Sequence, residues 1–175
     1  MPKDPVKLRV LAEQQADENW RFRDFIKRRC DLDPDEIDQR VFELTRRVWA
    51  GIDCTTCANC CKVVRPTISE EDIARLAQRL GIERQPFIDA YLEPAESKAG
   101  NPWLMRTLPC PFLKDNRCSV YEDRPGDCRD YPYLDKPDFV FRTIAMINRI
   151  PTCPIVYEVI DELKQSVGFR RPGRR

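Results

Sequence analysis

The chain contains no histidine. Imidazole ligation and the usual general acid–base group near neutral pH are therefore closed to it. Glycine is scarce, with six in 175 residues, and none falls in a G-x-G-x-x-G loop of the kind that receives a nucleotide phosphate. Net charge is almost absent: 30 Lys and Arg stand against 29 Asp and Glu, for a formal +1. That balance gives no overall attraction to nucleic acid or to a membrane surface. No apolar run approaches the roughly 18 residues of a membrane span, and the start, MPKDPVKLRV, lacks the apolar core of a secretory signal. The expectation is a cytoplasmic chain with no membrane partner and no nucleic-acid partner. In a reducing compartment structural disulfides are uncommon.

Against these absences stand nine cysteines, an odd number that leaves at least one thiol outside any set of disulfides. Cys54, Cys57, Cys60 and Cys61 lie in the run CTTCANCC. Cys110, Cys118, Cys128 and Cys153 follow among prolines and aromatics, and Cys30 stands apart.

The first fifty residues read as helix. LRVLAEQQADENWRFRDFIKRR holds good helix formers, with Trp20, Phe22, Phe25 and Ile26 available for burial. Asp33-Pro34-Asp35-Glu36 is a helix start, with an Asp cap, Pro at the first position and Glu three after the cap. Ile37, Val41, Leu44 and Val48 recur at helical spacing, and Gly51 ends the segment. Arg40, Arg46 and Arg47 fall on what reads as its solvated face. This region is expected to pack on the cysteine-rich part or to serve as a handle for a protein partner.

From residue 52 the chain becomes a cysteine loop and then a short extended piece, KVVRPTI. Ser69 and Asp72 form a capping box for a helix carrying Ile73, Leu76, Ala77 and Leu80 and stopped by Gly81. Pro86 opens a short helix through Phe87 and Tyr91. Residues 94 to 111 read as a loop, and Asp115-Asn116 as the turn of a short hairpin. FVFRTIAMI, residues 139 to 147, has the β-branched and aromatic content of a strand, and its periodicity does not decide the matter. IVYEVIDELKQ reads as a closing helix with Ile155, Val159 and Leu163 inward, and GFRRPGRR as a disordered, solvated tail.

Thiolate donors suit zinc, copper(I) and iron–sulfur clusters. The C-x2-C-x2-C spacing of Cys54, Cys57 and Cys60 is that of iron–sulfur loops, whose further ligand is often followed by Pro, as Cys110 and Cys153 are. Zinc sites also use C-x2-C pairs, but two of them, and the second is missing here. The neighbours Cys60 and Cys61 diverge in direction, so eight thiols divide into two sets of four or serve one cluster with thiols to spare. Proline-broken polar surroundings do not suit inert core cysteines. The exception is Cys30, which reads as a small buried hydrophobe. Arg124 and Arg129 bracket Cys128 and offer countercharge to thiolates, with an ion pair from Arg124 to Glu122 or Asp123 the plain alternative. Tyr121, Tyr131 and Tyr133 are expected to pack around the site. Glu70-Glu71-Asp72 is explained by the helix dipole.

The run CTTCANCC, the element CPFL from Cys110, the block CSVYEDRPGDCRDYP from Cys118 to Pro132, and Cys153-Pro154 together resemble the YkgJ-type cysteine-cluster family. That family is marked by a CxxCxxCC run and described as zinc- or iron-chelating. The resemblance spans roughly residues 52 to 156. It implies that Cys54, Cys57, Cys60, Cys61, Cys110, Cys118, Cys128 and Cys153 are the chelating set. A similar cluster occurs in flagellin lysine-N-methylases, which keeps a protein methyltransferase-like enzyme in view without a visible cofactor loop.

The expected fold is mainly α with irregular cysteine-rich loops and at most a short β-hairpin, organised by metal. The expected segments are 1–51, N-terminal helices; 52–156, the cysteine-cluster domain; and 157–175, a closing helix with a basic tail. An iron–sulfur cluster or iron in a redox or regulatory role is favoured, and one or two four-cysteine zinc sites in a structural or interaction module are the alternative. Enzymatic activity is left open.

Overall fold

A computed structural model describes residues 4–96 and 102–170. In chain order it contains α1 (Pro5–Gln14), α2 (Ala16–Arg28), α3 (Pro34–Ala50), α4 (Cys54–Cys57), α5 (Asn59–Val63), β1 (Thr67–Ile68), α6 (Glu70–Leu80), α7 (Arg84–Tyr91), β2 (Leu92–Pro94), β3 (Trp103–Met105), β4 (Leu113–Lys114), β5 (Arg117–Cys118), α8 (Gly126–Asp130), α9 (Phe139–Arg149) and α10 (Pro154–Ser166). The protein is mainly α, with small antiparallel strand pairs. Backbone contacts divide the chain into a terminal unit, Met1–Asp53 with Pro132–Arg175, and a central unit, Cys54–Tyr131.

In the terminal unit α3 packs on α9 and α10, and α2 packs on α9. The capping box read at Asp33 and Glu36 forms, with both reciprocal hydrogen bonds. Leu8, Phe22, Ile37, Val41, Phe139, Ile155, Val159 and Leu163 are fully buried. Several expectations change once these helices meet. Trp20 stays half out of the fold at 46% exposure, with the Arg23 guanidinium 5.9 Å from its ring centre. Arg46 and Arg47 are exposed as read, with Arg47 paired to Glu162 on α10, while Arg40 is half-buried and donates to the Ser166 carbonyl at 2.8 Å. Cys30 is half-buried rather than a core residue.

The possible strand at 139–147 is helix α9. Phe139, Val140, Thr143, Met146 and Ile147 are buried, while Phe141 is 68% and Ile144 40% exposed. Burial at i, i+1, i+4, i+7 and i+8 is a helical stripe, and strict alternation would have put Phe141 inside. The beginning of the tail is also ordered. Gly168 takes φ +72°, the Phe169 N–H reaches back to the Lys164 carbonyl at 2.9 Å, and the Phe169 ring packs on Phe22 and Phe25. Glycine suits that left-handed position, which closes the helix end with a 6→1 bond. Residues 171–175, the rest of the basic tail, lie outside the described residues.

The start of α9 is capped from another helix. Asp38 of α3 accepts from the Asp138 N–H at 2.6 Å and the Phe139 N–H at 2.8 Å. Both donors are among the orphan N–H groups of a helix start, and Asp138 itself makes no side-chain cap. Asp38→Ala should therefore cost about 2 kcal/mol, the scale of charge-assisted bonds left without a partner. Urea denaturation of variant and wild type measures it, and an unchanged midpoint would refute the trans-cap.

In the central unit the order β1-β3-β2 makes an antiparallel sheet, with Thr67 opposite Leu104 and Leu92 opposite Met105. β3 comes from the stretch read as loop; residues 97–101 of that stretch lie outside the described residues. Ile68, Ile73, Leu76, Phe87, Leu92, Met105, Phe112 and Val120 form the unit's core. The capping box of Ser69 and Asp72 forms as read, and Gly81 stops α6 at φ +68°. The β4–β5 hairpin turns at Asp115 and Asn116, both at positive φ (48° and 59°). That pair of conformations matches the twist of a two-residue hairpin.

Candidate metal centre

The cysteine run expected as a loop is two short helices, α4 and α5, broken at Ala58, whose φ is +53°. Cys60 and Cys61 are adjacent on α5, so their side chains point about 100° apart. The Cys60 and Cys61 thiols are hydrogen-bonded to one another. The Cys110 N–H donates to the Cys61 carbonyl at 2.8 Å, and the Cys110 carbonyl accepts from the Leu113 N–H at 2.9 Å. Cys110 is thus tied both to α5 and to the hairpin. Cys118 ends the hairpin opposite Leu113, and α4 packs against its strand. Cys128 lies in the middle of α8.

The electrostatics show which thiols share a neighbourhood. Cys110 is pushed up to about 11, first by burial and then by Cys61 and Cys118, against backbone donors at Phe112 and Leu113. Cys128 is raised first by burial and then by Cys61, Cys110, Asp127 and Cys118. Burial raises Cys118 too, with Cys61 adding and Arg124 opposing. Cys61 is raised first by its hydrogen bond to Cys60 and then by burial. Cys61, Cys110, Cys118 and Cys128 therefore lie within electrostatic reach of one another, although they come from four separate segments.

Their access differs. Cys61, Cys110 and Cys118 are half-buried, whereas Cys128 is exposed by surface area although protein crowds its thiol. Reagent access follows the exposed surface, so Cys128 is the open side of the set. Cys54, Cys57 and Cys60 are half-buried in the same unit. Cys153 belongs to the terminal unit, where it is buried at the start of α10 and its N–H donates to the Arg149 carbonyl at 2.8 Å.

The neighbours resolve in detail. The Arg124 guanidinium lies 3.9 Å from the Tyr121 ring centre and donates to the Tyr121 carbonyl at 2.7 Å. Its charge bears on Cys118. Asp123 pairs with Arg79 at 3.5 Å. Arg129 is exposed. Tyr133 falls in the terminal unit, beneath Arg149 at 4.8 Å. Asp127, unremarked in the sequence, accepts from the Thr67 N–H at 2.8 Å and ties α8 to β1. Asp72 does more than answer the helix dipole, because its carboxylate also accepts from the Gly126 N–H at 3.1 Å. Nothing in the sequence separates Asp127 from the many solvated aspartates, and the capping box does not foretell the bond from Asp72 to Gly126.

The family model described as "CxxCxxCC: Putative zinc- or iron-chelating domain" matches residues 53–154, more than half of the chain. The chain belongs to the CxxCxxCC family. No curated protein and no solved structure matches it. The CxxCxxCC domain is a metal-chelating one, and the donors gathered here fit zinc or iron by their chemistry. They are sulfur, they come without histidine, and they are costly to ionise together without a cation. Among the described residues no three His, Cys, Asp or Glu side chains are arranged to hold one ion. The backbone of the CxxCxxCC domain thus brings the thiols near one another without closing them on a common point. No helix among the described residues is long and apolar enough to cross a membrane.

Proposed function

We propose that the central unit holds iron or zinc through cysteine thiolates, in a cytoplasmic protein with a redox or regulatory role, and that an iron–sulfur cluster is the favoured form. One observation carries the proposal. Cys110, Cys118 and Cys128, from three segments, are each raised in part by Cys61 from a fourth. Repulsion of this kind is relieved when a thiophilic cation replaces the thiol protons. A bound cluster would supply one-electron chemistry, and Arg124 beside Cys118 would offset part of the thiolate charge. The cluster is favoured by Cys54, Cys57 and Cys60, which keep the C-x2-C-x2-C spacing and call for a further ligand. Cys153-Pro154, in the terminal unit, has the sequence pattern of such a ligand.

A second reading rests on the same four thiols. Four thiolates from four chain segments are what a structural zinc site uses to staple a small domain, with the N-terminal helices free to engage a protein partner.

Anaerobic purification of untagged protein followed by elemental analysis and an absorption spectrum separates the two. Iron with acid-labile sulfide and a broad visible charge-transfer band supports the cluster. Zinc with no visible band supports the structural module. Freely titrating thiols with neither metal would end both readings.

A further inference from the structure

Cys128 is the exposed residue of its set by surface area, although protein crowds its thiol, and it sits on a five-residue helix that has no side-chain cap. Such a helix holds its own orientation poorly. What holds it is a polar stripe of α6, spaced i, i+3, i+7: Asp72, Arg75 and Arg79. The Asp72 side chain is only 6% exposed and accepts from the Gly126 N–H at 3.1 Å, from the Ser69 N–H at 3.1 Å and from Arg75. Arg75 donates through Nε to the Asp123 carbonyl at 3.2 Å and through Nη2 to the Arg124 carbonyl at 3.1 Å. Arg79 reaches the Asp123 carboxylate at 3.5 Å. One Asp–Arg pair thus grips three backbone groups, at 123, 124 and 126, immediately before Cys128.

These bonds exceed what α6 needs for its own start. The cap is complete once Ser69 Oγ accepts from the Asp72 N–H and the Asp72 carboxylate accepts from the Ser69 N–H. The remaining contacts all go to the loop that carries Cys128. Arg75 suits the position because a planar guanidinium spans several fixed acceptors at once, which an ammonium does not. Asp72 in turn is held below the ordinary carboxylate range: burial pushes it up, but the hydrogen bonds from Ser69, Gly126 and Arg75 outweigh that. The pair is therefore a charged, hydrogen-bonded clamp rather than a loose surface contact.

We infer that Asp72 and Arg75 are positioning residues for Cys128, and that their grip sets how fast metal leaves the centre from its exposed side. The inference rests on the thiolate-centre reading. In it, Cys128 is the ligand that lets go first, and the clamp keeps it returning to the same place. Loosening the clamp leaves the other three thiols where they are, tied through α5 and the hairpin, and frees only the fourth.

Arg75→Met removes the grip on residues 123 and 124 and leaves the α6 cap and the Asp72 bond to Gly126 in place. Ser69→Ala weakens the cap and leaves the grip intact. Two readouts are compared in both variants and in wild type: release of bound metal to a chromophoric chelator, and alkylation of Cys128 relative to Cys110 in metal-free protein, mapped by mass spectrometry. Arg75→Met should speed release about tenfold, the consequence of losing charge-assisted bonds at one ligand, and should raise the Cys128 to Cys110 labelling ratio. Arg75→Lys should fall between Arg75→Met and wild type. Ser69→Ala should leave the labelling ratio unchanged even where it lowers the melting temperature as much. Release that tracks lost stability equally in Arg75→Met and Ser69→Ala, or a labelling ratio that Arg75→Met does not move, would overturn the inference. If wild type binds neither iron nor zinc, the thiolate-centre reading falls by itself, and the labelling ratio still decides whether the clamp holds Cys128.

Discussion

Stripping the metal should open residues 54–64 and 107–131 to protease and to hydrogen exchange while α6, α7 and the sheet stay protected. The reason lies in what holds each part. Helices α6 and α7 bury Ile73, Leu76, Phe87 and Ile88 against Ile68, Leu92 and Met105, which is a core independent of any ligand. The cysteine segments have far less. α4 and α5 span four and five residues, below the length at which a helix stands unaided, and α8 is as short. Phe112 stacks on Phe87 at 6.5 Å, and with Val120 it anchors the hairpin to the core. Around those anchors the chain is joined by backbone bonds such as that from Cys110 to Cys61 and, at residues 123–127, by a few side-chain bonds to α6 and β1. Structural thiolate sites contribute on the order of 10 kcal/mol of folding energy. Loss of even part of that should lower protection across 107–131 about a hundredfold or more. Exchange mapped by mass spectrometry before and after chelation gives the answer. A map unchanged in these segments would mean that metal is not what organises them.

Replacing any one of Cys61, Cys110, Cys118 and Cys128 by Ser should lower metal affinity by more than about a hundredfold. Changes to groups that merely support a ligand already cost ten- to a hundredfold, and a lost ligand exceeds that. The four losses should not add, because the first variant already breaks the set. Cys30→Ser, outside the central unit at the end of α2, should leave metal content at the wild-type level. Competition against a chelator of known affinity measures all five variants. Independent, additive losses, or a loss at Cys30, would contradict a shared four-thiol centre. Cys153→Ser in the same series decides whether the eighth thiol counts: an unchanged metal content removes Cys153 from the proposed ligands.

Much of the helical framework could be read directly from residues. Asp33 with Glu36 and Ser69 with Asp72 act locally, over three residues, so their capping boxes form wherever the helix does. Asp115-Asn116 carries its turn for the same reason, since both residues tolerate positive φ. Readings failed where a neighbour far along the chain decides. The β-branched and aromatic content of 139–147 says strand, and burial against α2 and α3 makes it helix. Arg40 looks solvated and is half-buried once α10 brings the Ser166 carbonyl to it. Trp20 looks like core and is left half outside.

The candidate site divides along the same line. Donor chemistry follows from composition alone: nine thiols, no imidazole, and a spacing that suits thiophilic metals. Membership of the CxxCxxCC family is likewise written in the order of its rare elements. Which thiols meet is a different matter, because Cys61, Cys110, Cys118 and Cys128 are spread over 68 positions and nothing local relates them. The hairpin, the Cys110–Cys61 backbone bond and the grip of α6 on residues 123–126 bring them together. Ligand type is a property of side chains and survives in any conformation. A ligand set is a property of backbone paths, and those are chosen by packing between distant segments.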